Sequence, residues 1–108
     1  MKKLCLILFF AFIIPQGISF RTWLNMWPEL EKIVACESNF NPQAIGDHGK
    51  SFGIFQIHLP SHPQVSKAQA RDPYWSLAWA IDKYSKGEIG IWSCYKLLVK
   101  RGEIVIDL

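Results

Sequence analysis

Eleven consecutive apolar residues, Leu4 to Ile14, follow a Met-Lys-Lys start and limit what this 108-residue chain can build. As a helix the run would rise only about 16 Å, roughly half a bilayer core, which is short for a membrane span. A positive start, an apolar stretch, and then Pro15-Gln16-Gly17-Ile18-Ser19 with small residues at Gly17 and Ser19 have the order of a secretory signal peptide. We expect residues 1–19 to be a leader cleaved after Ser19, with no stable membrane insertion afterwards. An uncleaved anchor or a buried terminal helix is the alternative. What remains, 20–108, is long enough for one domain with a small core.

Without the leader, 41 of 89 residues are apolar, an ordinary share for a globular domain. Ten Lys/Arg then stand against nine Asp/Glu, a balance of +1 that gives no electrostatic case for nucleic acid. Cys5 falls in the apolar run, so the domain keeps Cys36 and Cys94. Two cysteines in a small exported domain can form one disulfide, and closing so long a loop would stabilise it by about 4 kcal/mol. Two separate buried thiols are the other reading. His48, His58 and His62 make no zinc-ligand spacing with these cysteines, so neither a metal nor a cofactor is expected.

Local signals place the elements. Pro28 with Glu29 and Glu31 starts a helix whose one face carries Leu30, Ile33, Val34 and Glu37. Asn39, Asn41, Pro42, Gly46, Asp47 and Gly49 make a turn-rich loop after it. The run from Ser51 to Leu59 is too short for periodicity to separate strand from helix. A second helix has Asp72 as N-cap, Pro73 at its first position and Gly87 at its end, with Tyr74, Leu77, Ala78, Ile81 and Tyr84 as its apolar stripe. Ile89 to Lys100 reads as a third helix, closed by Gly102, and Ile104 to Ile106 as a short strand or an ordered tail. The expected class is mainly α, with a short irregular or β-hairpin insertion after the first helix.

Glu37 is the residue most suggestive of chemistry. It continues an apolar stripe at the point where the helix gives way to a polar loop. A carboxyl beside apolar surface is disfavoured from ionising, and a glutamic acid protonated near neutrality is what general-acid catalysis requires. A glutamate fraying into solvent is the plainer reading. Five tryptophans (Trp23, Trp27, Trp75, Trp79 and Trp92) are many for so small a domain, and aromatic faces suit the C–H faces of sugars. Most read as core; Trp92 and Tyr95 are the better candidates for a groove wall.

The stretch Ala35-Cys36-Glu37-Ser38-Asn39-Phe40-Asn41-Pro42-Gln43-Ala44 resembles the E-S-x-F-x-P-x-A signature of soluble lytic transglycosylases and related lysozymes. Gly46-Asp47-His48-Gly49-Lys50-Ser51-Phe52-Gly53-Ile54-Phe55-Gln56-Ile57 resembles the same superfamily's G-hydrophobic-x-Q-[IV] segment, with a glycine–aspartate lead-in similar to goose-type lysozymes. Asp72-Pro73 and the region Trp92 to Tyr95 resemble its third block, so the likeness covers most of 33–96. Two departures stand: the later A-Y-N-x-G motif is missing where Trp92-Ser93-Cys94-Tyr95-Lys96 occurs, and the domain is shorter than most relatives.

The resemblance implies a small lysozyme-like fold whose cleft binds peptidoglycan glycan strands, and the leader pattern places such a protein in the periplasm or at the cell exterior, associated with the wall. The resemblance also implies Glu37 as the catalytic acid/base, with Ser38, Ser51, Gly53, Gln56, Ile57, Trp92 and Tyr95 around the substrate. Asp47 is a candidate second carboxylate, or else a turn residue. With Asp47 structural, Glu37 would act alone, and the C6 hydroxyl of N-acetylmuramic acid would close a 1,6-anhydro ring. With Asp47 active, the outcome would be lysozyme-type hydrolysis. Two other classes stay open. One is a non-catalytic exported glycan binder; the other is a cysteine hydrolase using Cys36 with His48 or His58.

Overall fold

Helix starts and stops follow from short-range chemistry, and the tertiary structure is built around them. A computed structural model describes residues 17–105; the expected leader up to residue 16 lies outside the described residues, as does Ile106. The elements are α1 (Phe20–Asn25), α2 (Pro28–Ser38), β1 (Ile45–Gly46), β2 (Ser51–Phe52), β3 (Ile57–His58), α3 (Lys67–Arg71), α4 (Pro73–Ser85), a 3-10 turn (Ile89–Ile91) and α5 (Ser93–Lys100). About half of the described chain is helical, and the rest holds one small antiparallel sheet in the order β1-β2-β3.

Pro28 opens α2 and two glutamates occupy its first turn, where the helix dipole favours them. Leu30, Ile33 and Val34 are fully buried, as the stripe predicts, and Asn39 ends the helix in the left-handed region. The ambiguous run Ser51–Leu59 is strand, turn and strand. Phe52 pairs with Ile57 and Ser51 with His58, around a turn over 53–56. Gly53 is required there: its φ is +84°, and a Cβ would run into the Ala70 carbonyl oxygen.

Asp72 caps α4 by accepting from the amides of Tyr74 and Trp75 at 3.0 and 3.3 Å. Its buried face is Ser76, Leu77, Ala80 and Ile81. Tyr74, expected on the apolar stripe, is instead exposed and packs against Phe20 and Trp23 of α1. At Gly87 the chain closes a Schellman motif, Gly87 to the Tyr84 carbonyl and Glu88 to that of Lys83. Gly102 does the same for α5 through the carbonyls of Val99 and Leu98.

The expected continuous helix from Ile89 to Lys100 is broken. A 3-10 turn covers its start, Trp92 is extended (φ −90°, ψ 126°), and α5 begins only at Ser93. The cause is tertiary: the Trp92 indole is buried and donates to the Phe55 carbonyl at 2.9 Å, a peg that a regular helix through 92 would not place. Two short helices had no counterpart in the sequence reading. Ser19 caps α1 at the Thr22 amide, and Ser66 with Gln69 forms a capping box for α3. Ile104 is buried in the core, and neither it nor Val105 is in a strand.

Cys36 and Cys94 are bridged, with Cα atoms 6.0 Å apart, and tie α2 to α5. The core is continuous: Leu24, Leu30, Ile33, Val34 and Leu77 from the helices close on Phe55 and Ile57 from the sheet region. Among the described residues no helix is long and apolar enough to cross a membrane.

Candidate active site

Glu37 sits in the last turn of α2, where the buried stripe meets the loop. It is half-buried and lines a cleft of about 540 Å³. The sheet region contributes Asp47, Gln56, Ile57 and His58 to its lining, the loop after β3 Ser61 and His62, and α4, the 3-10 turn and the start of α5 Trp79, Ile91, Trp92 and Ser93. The disulfide joins Cys36, the neighbour of Glu37 in α2, to Cys94 in α5, and the Cys94 main-chain N–H donates to Glu37 Oε2 at 3.3 Å.

The carboxyl is pulled two ways. Burial raises its pKa above the ordinary value, and the negative charge of Asp47 adds to the rise, while the Cys94 N–H works against both. Burial prevails, so the proton is held more tightly than on an exposed glutamate. A carboxyl in this state can donate a proton to a ligand in the cleft and take one back.

The residues singled out from the sequence fall into two groups. Glu37, Asp47, Gln56, Ile57 and Trp92 meet at the cleft. Ser38, Ser51, Gly53 and Tyr95 lie outside its lining and have other contacts. Ser38 Oγ shares its proton between the carbonyls of Val34 (3.2 Å) and Ile54 (2.8 Å), which ties the end of α2 to the sheet turn. Ser51 is fully buried and donates to Asp47 Oδ2 at 2.5 Å. Gly53 abuts Ala70, and Tyr95 packs half-buried against the core. Gln56 is locked by two donations from Nε2, to the carbonyls of Ala44 (3.1 Å) and Gly53 (2.9 Å). Its Oε1 fills the space a Cβ at Gly46 would need.

Asp47 is exposed and occupies the β1–β2 turn with φ of 51°, followed by His48 at 57°. Among the described residues, the non-glycine positions with positive φ are Asn39, Phe40, Asp47, His48 and Gln56, all in the segment that frames Glu37. Left-handed backbone at bulky side chains is unfavourable and persists where the surroundings enforce it, often beside functional groups.

Several cleft residues were not expected there from the sequence: Ser61, His62, Ile91 and Ser93, with His58, considered only as a partner for Cys36, and Trp79, which read as core. Pro60 and Pro63 were the advance signal for the loop that follows His58 and carries Ser61 and His62, and the richness in tryptophan was the one for Trp79. His58 Nδ1 and Ser61 Oγ are 2.7 Å apart, and the His62 ring meets Trp79 edge-on at 4.9 Å. Burial holds His62 below the usual imidazole range, helped by Lys83 and His58 and opposed by Glu88.

With Cys36 bridged there is no thiolate for a cysteine hydrolase, and that alternative falls. Among the described residues, no group of three or more His, Cys, Asp or Glu side chains could hold a metal ion. Comparison with family models, with curated proteins and with solved structures gives no match.

Proposed function

We propose that this protein is an exported lytic transglycosylase of lysozyme-like fold that cleaves the β-1,4 bond between N-acetylmuramic acid and N-acetylglucosamine in peptidoglycan. The observation that carries the reading is a half-buried Glu37, its pKa raised chiefly by burial, on the wall of a cleft lined also by Trp79 and by the edge of the buried Trp92. Glu37 would protonate the glycosidic oxygen as the C1–O bond breaks. The carboxylate so formed would then take the proton of the C6 hydroxyl as that oxygen bonds to C1, which closes the 1,6-anhydro ring and regenerates the acid. No water enters and no second carboxylate is needed. Export is supported by the disulfide, which persists in oxidising compartments.

Asp47 favours a second reading, hydrolysis, because it lines the same cleft and its charge reaches Glu37. Its hydrogen bond to buried Ser51 gives it a structural task, and for that reason the transglycosylase is preferred. Mass spectrometry of fragments released from peptidoglycan, with Glu37→Gln as control, separates the outcomes. Anhydro-muropeptides absent from the control are expected. Reducing-end fragments would mean hydrolysis, and binding with no fragments would mean a glycan-binding protein without turnover.

A further inference from the structure

The bridge and the acid are adjacent at both ends. Cys36 immediately precedes Glu37 in α2, and its partner Cys94 supplies the main-chain N–H that reaches Glu37 Oε2. Helix α5 leaves its first amides without intrahelical acceptors, and its N-cap Trp92 makes no side-chain cap bond. Glu37, from another helix, takes up the amide of Cys94. An N–H donor prefers an anionic or carbonyl-type oxygen to a protonated hydroxyl oxygen. The proton of the neutral acid therefore belongs on Oε1.

Resting on the reading of Glu37 as the catalytic acid, we infer that the Cys36–Cys94 disulfide is a positioning element of the reaction: it clamps the first turn of α5 on the end of α2, keeps the Cys94 amide on Glu37 Oε2, and so leaves Oε1 to carry the transferable proton. Cys36 and Cys94 act through Glu37 and touch no substrate atom. The other ionisable groups on the cleft are Asp47 from the β1–β2 turn, His58 from the end of β3 and His62 from the loop after it; among the described residues none of them hydrogen-bonds Glu37. Among the described residues, only the Cys94 amide hydrogen-bonds the carboxyl and so fixes which oxygen is which.

Nuclear magnetic resonance titration tests this in the disulfide-bonded protein. The Cys94 amide proton is expected to shift with the same midpoint as the Glu37 carboxyl carbon, and to lose that shift in Glu37→Gln. In the double substitution Cys36→Ser with Cys94→Ser, kept folded at low temperature as judged by circular dichroism, the Glu37 midpoint should move to higher pH. Fragment release should fall by on the order of ten- to a hundredfold as the acid loses its orientation. A Cys94 amide that does not titrate with Glu37 overturns the inference, as does a folded double variant with an unchanged midpoint. Where the double variant does not fold, the amide titration of the intact protein decides. That titration requires no turnover, so coupled titration in a protein that releases no fragments would defeat the proposed reaction while supporting the positioning.

Discussion

At Glu37, burial and the Asp47 charge favour the proton while the Cys94 N–H favours the ion, and burial is the largest of the three. A general acid works only while protonated, so activity should hold through the ordinary carboxylate range and fall as pH rises through the raised pKa. A pH–rate profile on peptidoglycan checks it. The same shift acts on stability. Folding favours the neutral form, so the stabilisation present at acid pH is lost as pH rises through the folded value. Glu37→Gln should therefore melt above the native protein at neutral pH, with the gap closing below the ordinary value of 4.5, and should release fragments at least about a hundredfold more slowly. Asp47→Asn discriminates between the two reactions. It removes one influence that raises the Glu37 pKa, so the profile should shift to lower pH with less than roughly tenfold loss if Glu37 acts alone. A loss of several hundredfold or more would give Asp47 a direct part in hydrolysis.

Among elements, those bounded by local chemistry were legible and those bounded by pairing were not. Pro28, Asp72-Pro73, Gly87 and Gly102 marked helix ends correctly because caps are satisfied within a few residues. Strands of two residues carry no usable period, so the run Ser51–Leu59 could not be assigned until Phe52 met Ile57. Helix α3 could have been found from Ser66-Lys67-Ala68-Gln69, a capping-box pattern. The break at Trp92 could not, since its cause, the Phe55 carbonyl, lies 37 residues away. Two substitutions test this scale. Gly53→Ala forces both a strained φ and a clash with Ala70, and should lower the unfolding free energy by about 2 kcal/mol or more by denaturant titration. Asp72→Ala removes the cap of α4 at about 1 kcal/mol.

For the molecule as a whole, one covalent link and one buried peg decide how the cleft is assembled. The disulfide joins positions 58 apart in sequence and closes α2 on α5, while Trp92 closes the segment before α5 on the sheet turn. Opening the bridge by paired serines should lower the unfolding free energy by roughly 2–5 kcal/mol, read by denaturant unfolding with and without reductant. The sequence by itself determined the helix opened by Pro28 and the one capped by Asp72, the buried face of α2, and a glutamate placed where that face meets a polar loop. These rest on spacing and on hydrogen bonds within one turn. The tertiary structure alone decided that the cysteines are joined, that Ser51 holds Asp47, that His58, His62 and Trp79 share a cleft with Glu37, and that the Cys94 amide meets its carboxyl. Each of these depends on which distant surfaces bury one another, and no short stretch of chain encodes that choice.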